Sequence, residues 1–409
     1  MNDALRDQGL AVKRAARDLA TTSNERRSNV LRRVADDLDH RRDDLLEVNR
    51  AELARYVDEG AGRDRLTLTP ARIDAMVEAL RAVAAEPDPL FELVDERRRP
   101  NGLLARRVRV PLGVVGVVYE NRPNVTSDVA GLCIKSGNAA YLRGSASALD
   151  SNRFIVALFR AALEAEGLSP FAVTLVDDVS HETAAQFMGL VGIIDCLIPR
   201  GGPSLIRAMR EHARVPYVLD GDGNCHVYVD APSDLEQAVA IVVNAKTSRP
   251  GVCNAAETLL VHRDVAPTVL PRVREALSGV ELRGDEATRA LIEATPATEE
   301  DYAREFLDLI LAVRVVDSLE EAMEHVARYG TGHSEAIVTS DPEHAETWIR
   351  GVDAAAVVVN ASTRFVDGGE LGLGGEVGIS TQKLHASGPM GLRELTCVKW
   401  VLLGEGQVR

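Results

Sequence analysis

Lysine is scarce in this chain: five residues against 42 arginines in 409. Two readings account for the bias. One is genomic base composition; the other is a carboxylate-rich surface kept soluble at high salt. A stability curve against salt separates them. Where arginine serves, the chain uses arginine. Lys13, Lys135, Lys246, Lys383 and Lys399 therefore mark positions where a compact ammonium is wanted.

Net positive charge is missing too. The formal balance is −15, which argues against nucleic acid as a main partner, because phosphate backbones require a basic face. The five cysteines (Cys133, Cys196, Cys225, Cys253, Cys397) form no C-x-x-C pair, so neither a zinc site nor a disulfide framework is indicated. A reducing compartment suits them. Nine histidines show no paired metal spacing, and no metal is expected. No apolar run approaches the ~20 residues that span a bilayer. The first thirty residues read as a mixed-charge amphipathic helix rather than a signal peptide. The expectation is a cytoplasmic protein with no membrane partner.

What the chain does have is alternation. Asn24 to Ala54 carries apolar residues at helical spacing, opened by a Thr22–Glu25 capping box. Val110 to Val118 is a continuous apolar run, as a strand buried on both faces requires. Helices are expected at Asp128–Lys135 and Ala148–Glu166. Strands are expected at Ala139–Leu142, Phe171–Val176, Ile193–Ile198 and Val215–Leu219. A second series adds strands at His226–Val229, Thr258–His262, Val313–Val316, Ala336–Thr339 and Ala355–Val359. Helices fall between them at Asp234–Ala245 and Leu319–Arg328. Such alternation predicts an α/β protein with two parallel-sheet domains in series. Apart from both stand Leu90–Val94 and Leu103–Val110 around an Asn101-Gly102 hairpin signal. Isolated ribbons are marginal in water, so this one pairs with another chain or with the last strand, Thr396–Leu403.

Among the cysteines, Cys133, Cys196 and Cys397 lie in regular elements and read as buried small hydrophobes. Cys253 sits in the polar loop Asn244-Ala-Lys-Thr-Ser-Arg-Pro-Gly-Val-Cys-Asn254. Nearby Lys246 and Arg249 favour a thiolate, which covalent acyl transfer needs. Cys225, beside Gly221-Asp-Gly-Asn224, is its rival. Gly372 to Gly378 does not follow a strand and open a helix, so it is rejected as a dinucleotide fingerprint. Pro199-Arg-Gly-Gly-Pro203 does follow a strand and precede a helix. Its amides suit a phosphate, although an ordinary tight turn fits equally. Arg122, Arg143, Arg364 and Lys383 fall in irregular segments at strand ends, where parallel sheets bind ligands. Together they suggest an anionic ligand. His385 is the one histidine in a Gly-rich loop.

Ordered blocks from about Asn24 onward resemble the γ-glutamyl phosphate reductase family of the aldehyde dehydrogenase superfamily. They include Pro111-Leu-Gly-Val-Val-Gly116, Tyr119-Glu-Asn-Arg-Pro-Asn-Val125, Lys135-Ser-Gly-Asn138, Leu142-Arg-Gly144, Ile198-Pro-Arg-Gly-Gly202, Val243-Asn-Ala-Lys246, Cys253-Asn254, Glu257-Thr-Leu-Leu-Val261, Val359-Asn-Ala-Ser-Thr-Arg-Phe365, Asp367-Gly-Gly369 and Ser380-Thr-Gln-Lys-Leu-His385. The resemblance implies an aldehyde dehydrogenase-like fold. Its parts would be a cofactor domain over 1–225, interrupted by the hairpin 90–109, a catalytic domain over 226–385, and an oligomerisation ribbon from 90–109 and 394–409.

The resemblance further implies NADPH-dependent reduction of L-glutamyl 5-phosphate in proline biosynthesis, through a thioester on Cys253. Asn121 and the Cys253 amide would hold the oxyanion. Arg143, Ser145, Pro199, Gly201, Gly202 and Glu305 would hold the cofactor. Arg122, Asn124, Lys246, Arg364 and Lys383 would hold the substrate. A homo-oligomer and association with glutamate 5-kinase are the implied partnerships. Hydrolytic relatives carry a water-activating Glu where this chain reads Leu219-Asp-Gly-Asp-Gly223. The alternative is a non-phosphorylating NAD(P)-dependent aldehyde dehydrogenase for another small aldehyde.

Overall fold

A computed structural model describes residues 3–57, 60–219 and 221–409. Asp220, in the Leu219–Gly223 stretch, lies outside the described residues, as do the first two residues of the expected cofactor domain. The chain forms two compact units. Unit 1 holds Met1–Leu219, Gly372–Gly378 and Met390–Arg409; unit 2 holds Asp220–Leu371 and Ile379–Pro389.

In chain order the strands are β1 (Leu93–Arg98), β2 (Leu104–Pro111), β3 (Val114–Tyr119), β4 (Ala139–Arg143), β5 (Val173–Leu175), β6 (Cys196–Arg200), β7 (Cys225–Val229), β8 (Ala256–His262), β9 (Glu281–Gly284), β10 (Thr295–Pro296), β11 (Ile310–Val316), β12 (Ser334–Val338), β13 (Ala356–Val359), β14 (Ile379–Ser380), β15 (Gly388–Pro389) and β16 (Thr396–Leu403).

Unit 1 is built on a parallel sheet of order β5-β4-β3-β6. Every residue of β3 is buried, as its unbroken apolar run requires. The chain steps outward from β3 through β4 to β5, then returns to β6 on the other side of β3. Ligands of such sheets sit beyond the carboxyl ends of the strands where the order reverses, here between β3 and β6. The helix Asp3–Leu19 packs its Leu5, Val12 and Ala16 into this core.

Four expectations need correction. The Asn24–Ala54 helix is two helices, Asn24–His40 and Arg42–Arg55, broken at Arg41. Its cap is Ser23, which accepts the Arg26 amide, rather than Thr22. The run Val110–Val118 is split between β2 and β3 by Gly113, whose φ of 123° suits only glycine. Val215–Leu219 contributes one bridge, Leu197 to Tyr217, and no strand.

Unit 2 carries a seven-stranded parallel sheet of order β10-β9-β11-β8-β7-β12-β13. Its core includes Val227, Leu259, Val261, Val269 and Leu311. Trp348 and Tyr228 anchor a second cluster, stacked 5.6 Å apart. The strands β9 and β10 had no sequence signal. They are short, and β9 alternates the charged Glu281 and Arg283 with Leu282 and Gly284.

The hairpin β1–β2 pairs with the last strand: β16 runs antiparallel to β2 from Thr396↔Pro111 to Leu403↔Leu104. Thus the ribbon finds its partner within the chain. Val398, Trp400 and Leu402, alternate residues that share one face of β16, are exposed, as are Leu93 and Val94.

Candidate active site

The helix Leu235–Thr247 stops at Ser248. Pro250 cannot continue it and pushes Arg249 away from helical geometry. The chain then turns until β8 begins at Ala256, and Cys253 stands in that turn. It is half-buried, whereas Cys133, Cys196 and Cys225 are fully buried. Burial pushes the Cys196 thiol up to about 12 and Cys225 well above its ordinary value. Those thiols stay protonated. Cys397 is exposed, against the expectation that it is buried.

The Cys253 backbone is held closely. Its carbonyl accepts the Cys225 thiol at 3.1 Å. A Cβ at Gly223 would overlap that carbonyl and lie 2.6 Å from the Cys253 Cα, so only glycine fits there. Gly223 in turn donates its amide to Glu305 Oε1 at 2.8 Å. The next residue, Asn254, is buried; its side chain donates to the Val366 carbonyl at 2.9 Å, and its carbonyl accepts Thr363 Oγ1 at 2.7 Å. The Arg364 guanidinium donates to Asn254 Oδ1 and, through Nε, to Ser248 Oγ at 3.1 Å. Unit 2 therefore brings together Cys253, Glu305 and Arg364 around one turn.

Lys246 is placed differently from its expected ligand-holding role. Lys246 is fully buried and its Nζ lies 2.6 Å from Glu257 Oε2, also fully buried. Desolvation lowers the ammonium and raises the Glu257 carboxyl to about 7, opposed by their mutual attraction. With no exposure, this lysine presents no surface to a ligand. Lys383 pairs with Asp353 at 2.6 Å, both largely exposed. His385 is exposed and holds a left-handed φ of 77°.

Two of the five lysines, Lys246 and Lys135, are buried in hydrogen bonds; Lys135 donates to Ser28 Oγ and the Ala84 carbonyl and is lowered to about 8 by burial.

In unit 1 the carboxyl ends of β3, β4 and β6 carry the remaining candidates. Asn121, with a left-handed φ of 41°, accepts Ser145 Oγ at 3.0 Å, returns its own amide to Ser145 at 3.1 Å, and bonds Ser147. Its side-chain amide donates to Tyr56 Oη at 2.8 Å. Arg122 precedes the helix Pro123–Lys135. Asn124 donates to Asp128 at 3.0 Å, and burial lifts that carboxyl to about 6.

Arg143 ends β4 with its Nη2 on the Val179 and Ser180 carbonyls, while its buried Nε has no partner. Pro199 is buried at the end of β6. The Gly202 amide is already taken by Glu120 Oε2 at 3.0 Å, and a Cβ at Gly201 would meet that carboxylate at 2.8 Å. For a phosphate-bearing cofactor, the orphaned Arg143 Nε fits. The Gly201–Gly202 turn fits once Glu120 yields.

Glu120, Tyr56, Gly223 and Glu257 hold these turns through contacts that no sequence motif marks. Glu257 had a signal: a lone carboxylate opening the apolar strand Thr258–Val261.

The aldehyde dehydrogenase family model matches residues 7–310. A "Gamma-glutamyl phosphate reductase" of Carboxydothermus hydrogenoformans is 52% identical over 404 residues, 97% of each chain. The crystal structure of one from Thermotoga maritima superposes with a TM-score of 0.95 at 44% identity, covering 99% of both chains. An acetylating aldehyde dehydrogenase from Geobacillus thermoglucosidasius shares the fold alone, at 16% identity and a TM-score of 0.72 over 100% of this chain and 98% of that one.

Proposed function

We propose that this chain, which belongs to the γ-glutamyl phosphate reductases of the aldehyde dehydrogenase family, reduces L-glutamyl 5-phosphate to L-glutamate 5-semialdehyde in proline biosynthesis. It is an oxidoreductase of that family. The observation that carries the reading is Cys253: a half-buried thiol on a turn whose backbone is pinned from three sides.

The Cys253 thiolate attacks the acyl-phosphate carbonyl, phosphate leaves, and a thioester forms. The oxyanion of each tetrahedral species needs fixed donors. The Cys253 amide and the Asn121 side-chain amide are assigned that work. Hydride to the thioester carbon is the chemistry that a bound reduced nicotinamide supplies. Collapse of the resulting thiohemiacetal frees the aldehyde and returns the thiol.

Arg364, beside Asn254, holds the substrate's phosphate or α-carboxylate, a task suited to a guanidinium; Arg122 and Asn124 are the further candidates. Lys246, fully buried against Glu257, is removed from that set; Lys383 stays in it, because its exposed pairing with Asp353 is a weak surface contact.

Arg143, with Ser145 beside it in sequence, is assigned the 2′-phosphate of NADPH. Pro199, Gly201 and Gly202 take the pyrophosphate side and Glu305 the nicotinamide ribose. The Leu219–Gly223 stretch has no glutamate to activate water, which protects the thioester for exchange with phosphate.

The exposed apolar face of the ribbon supports a homo-oligomer. The scattered thiols support a cytoplasmic location, and no helix among the described residues is long and apolar enough to cross a membrane.

The test is the reverse reaction. Semialdehyde with NADP⁺ is expected to turn over only when inorganic phosphate or arsenate is present. Turnover without either points to the non-phosphorylating alternative.

A further inference from the structure

Lys246 and Glu257 flank the nucleophile in sequence: one closes the helix Leu235–Thr247, the other opens β8. Their side chains meet at 2.6 Å with no exposure. The pair thereby ties off the base of the turn that carries Cys253. Glu257 does more than neutralise a lysine. Its second oxygen, Oε1, accepts the amide of Leu307 at 3.0 Å. Leu307 holds a left-handed φ of 55°, a conformation costly for a bulky side chain unless its surroundings impose it. It stands two residues after Glu305, whose carboxylate accepts the Gly223 amide, and Gly223 packs against the Cys253 carbonyl. These contacts close a ring: Cys253 turn, Lys246, Glu257, Leu307, Glu305, Gly223, and back to Cys253.

We propose that Glu257 is a positioning residue for this reaction, fixing the Cys253 turn and the Glu305–Leu307 turn to one another through Lys246 and the Leu307 amide. It touches no reacting atom. Its effect is to register the nucleophile against the carboxylate assigned to the nicotinamide ribose. This rests on the reading of Cys253 as nucleophile given above.

Two full-length double variants separate positioning from bulk stability. In Lys246→Met/Glu257→Leu the pair becomes apolar, an exchange that buried ion pairs commonly tolerate, and the Leu307 amide loses its acceptor. In Lys246→Met/Glu257→Gln the charge is equally absent, but an amide oxygen still faces Leu307.

Both are expected to unfold cooperatively, like the parent. The leucine variant is expected to lose on the order of 100-fold in kcat/KM in the phosphate-dependent assay, as small misplacements of reacting groups do. Its KM for nicotinamide should rise and its KM for phosphate should stay. The glutamine variant is expected to recover most of the nicotinamide KM.

Equal kinetics in the two variants, wild-type kinetics in both, or failure of both to fold would each overturn the proposal. Failure of the underlying reading shows separately. In that case the parent protein itself lacks phosphate-dependent turnover, or keeps its turnover after Cys253 is alkylated.

Discussion

The thiol of Cys225 donates to the backbone carbonyl of Cys253 at 3.1 Å, so one cysteine of unit 2 helps to hold the turn that presents the other. The two have different work. Cys253→Ala is expected to reduce turnover to background. Cys225→Ala is expected to cost about 1 kcal/mol for the lost hydrogen bond, plus the loss of its packing, while leaving measurable activity. Steady-state rates and denaturant unfolding of both variants check this. Higher residual activity in Cys253→Ala than in Cys225→Ala would reverse the assignment.

Gly223 and Gly251 make a paired test of how tightly the turn is packed. A methyl at Gly223 runs into the Cys253 carbonyl, a backbone atom that cannot swing aside. Nothing lies nearer than 3.8 Å to a Cβ at Gly251. Gly223→Ala is therefore expected to cost at least the ~1–3 kcal/mol of an overpacked core, and most of the activity with it. Gly251→Ala should leave stability near wild type. Thermal unfolding and rates measured side by side decide the comparison.

His344 Nδ1 lies 2.6 Å from the buried carboxylate of Asp230, whose oxygens also accept Tyr228 and Thr339 hydroxyls. The hydrogen bond to Asp230 raises the His344 pKa. A raised histidine stabilises the fold fully below its unfolded value of about 6.5 and loses that contribution as pH rises through the higher folded value. Melting temperature is expected to fall over this window in the parent and to fall less in His344→Gln. Parallel curves for the two would refute the linkage.

Arg143 has a buried Nε without a partner while Nη2 holds two loop carbonyls. Arg143→Gln is expected to raise KM for NADP⁺ by roughly tenfold or more, the scale of one lost charge-assisted contact, and to change KM for NAD⁺ much less. Equal changes for both cofactors would take the 2′-phosphate away from Arg143.

The ribbon leaves Val398, Trp400 and Leu402 exposed on one face. Sedimentation of the parent is expected to report an oligomer, and Trp400→Glu/Leu402→Glu is expected to shift it to smaller species. An unchanged mass would place any assembly surface elsewhere.

The strands of both sheets were largely readable because burial on both faces leaves unbroken apolar runs, as in Val114–Tyr119 and Leu259–Val261. The break at Arg41 was not readable: it carries neither proline nor glycine, and apolar spacing continues across it. Cys253 stood out through Pro250 and Gly251, which force a turn just ahead of it.

The burial of Lys246 was not readable for a physical reason. A lysine in a last helical turn looks solvated until its partner is known, and Glu257 comes from beyond the loop. Gly223 and Glu120 act through backbone contacts that only folding creates. The same holds for the anion-ready turn at Gly201–Gly202, whose amide is filled by a carboxylate from the neighbouring strand's end.

The most direct measurement is a single-turnover experiment in the absence of phosphate. Semialdehyde and NADP⁺ are mixed with the enzyme, and the quenched protein is digested and mapped by mass spectrometry. The account predicts a burst of one reduced nicotinamide per chain and an acyl group on the peptide bearing Cys253. A burst with no acyl group on that peptide, or with the group on Cys225, would contradict it.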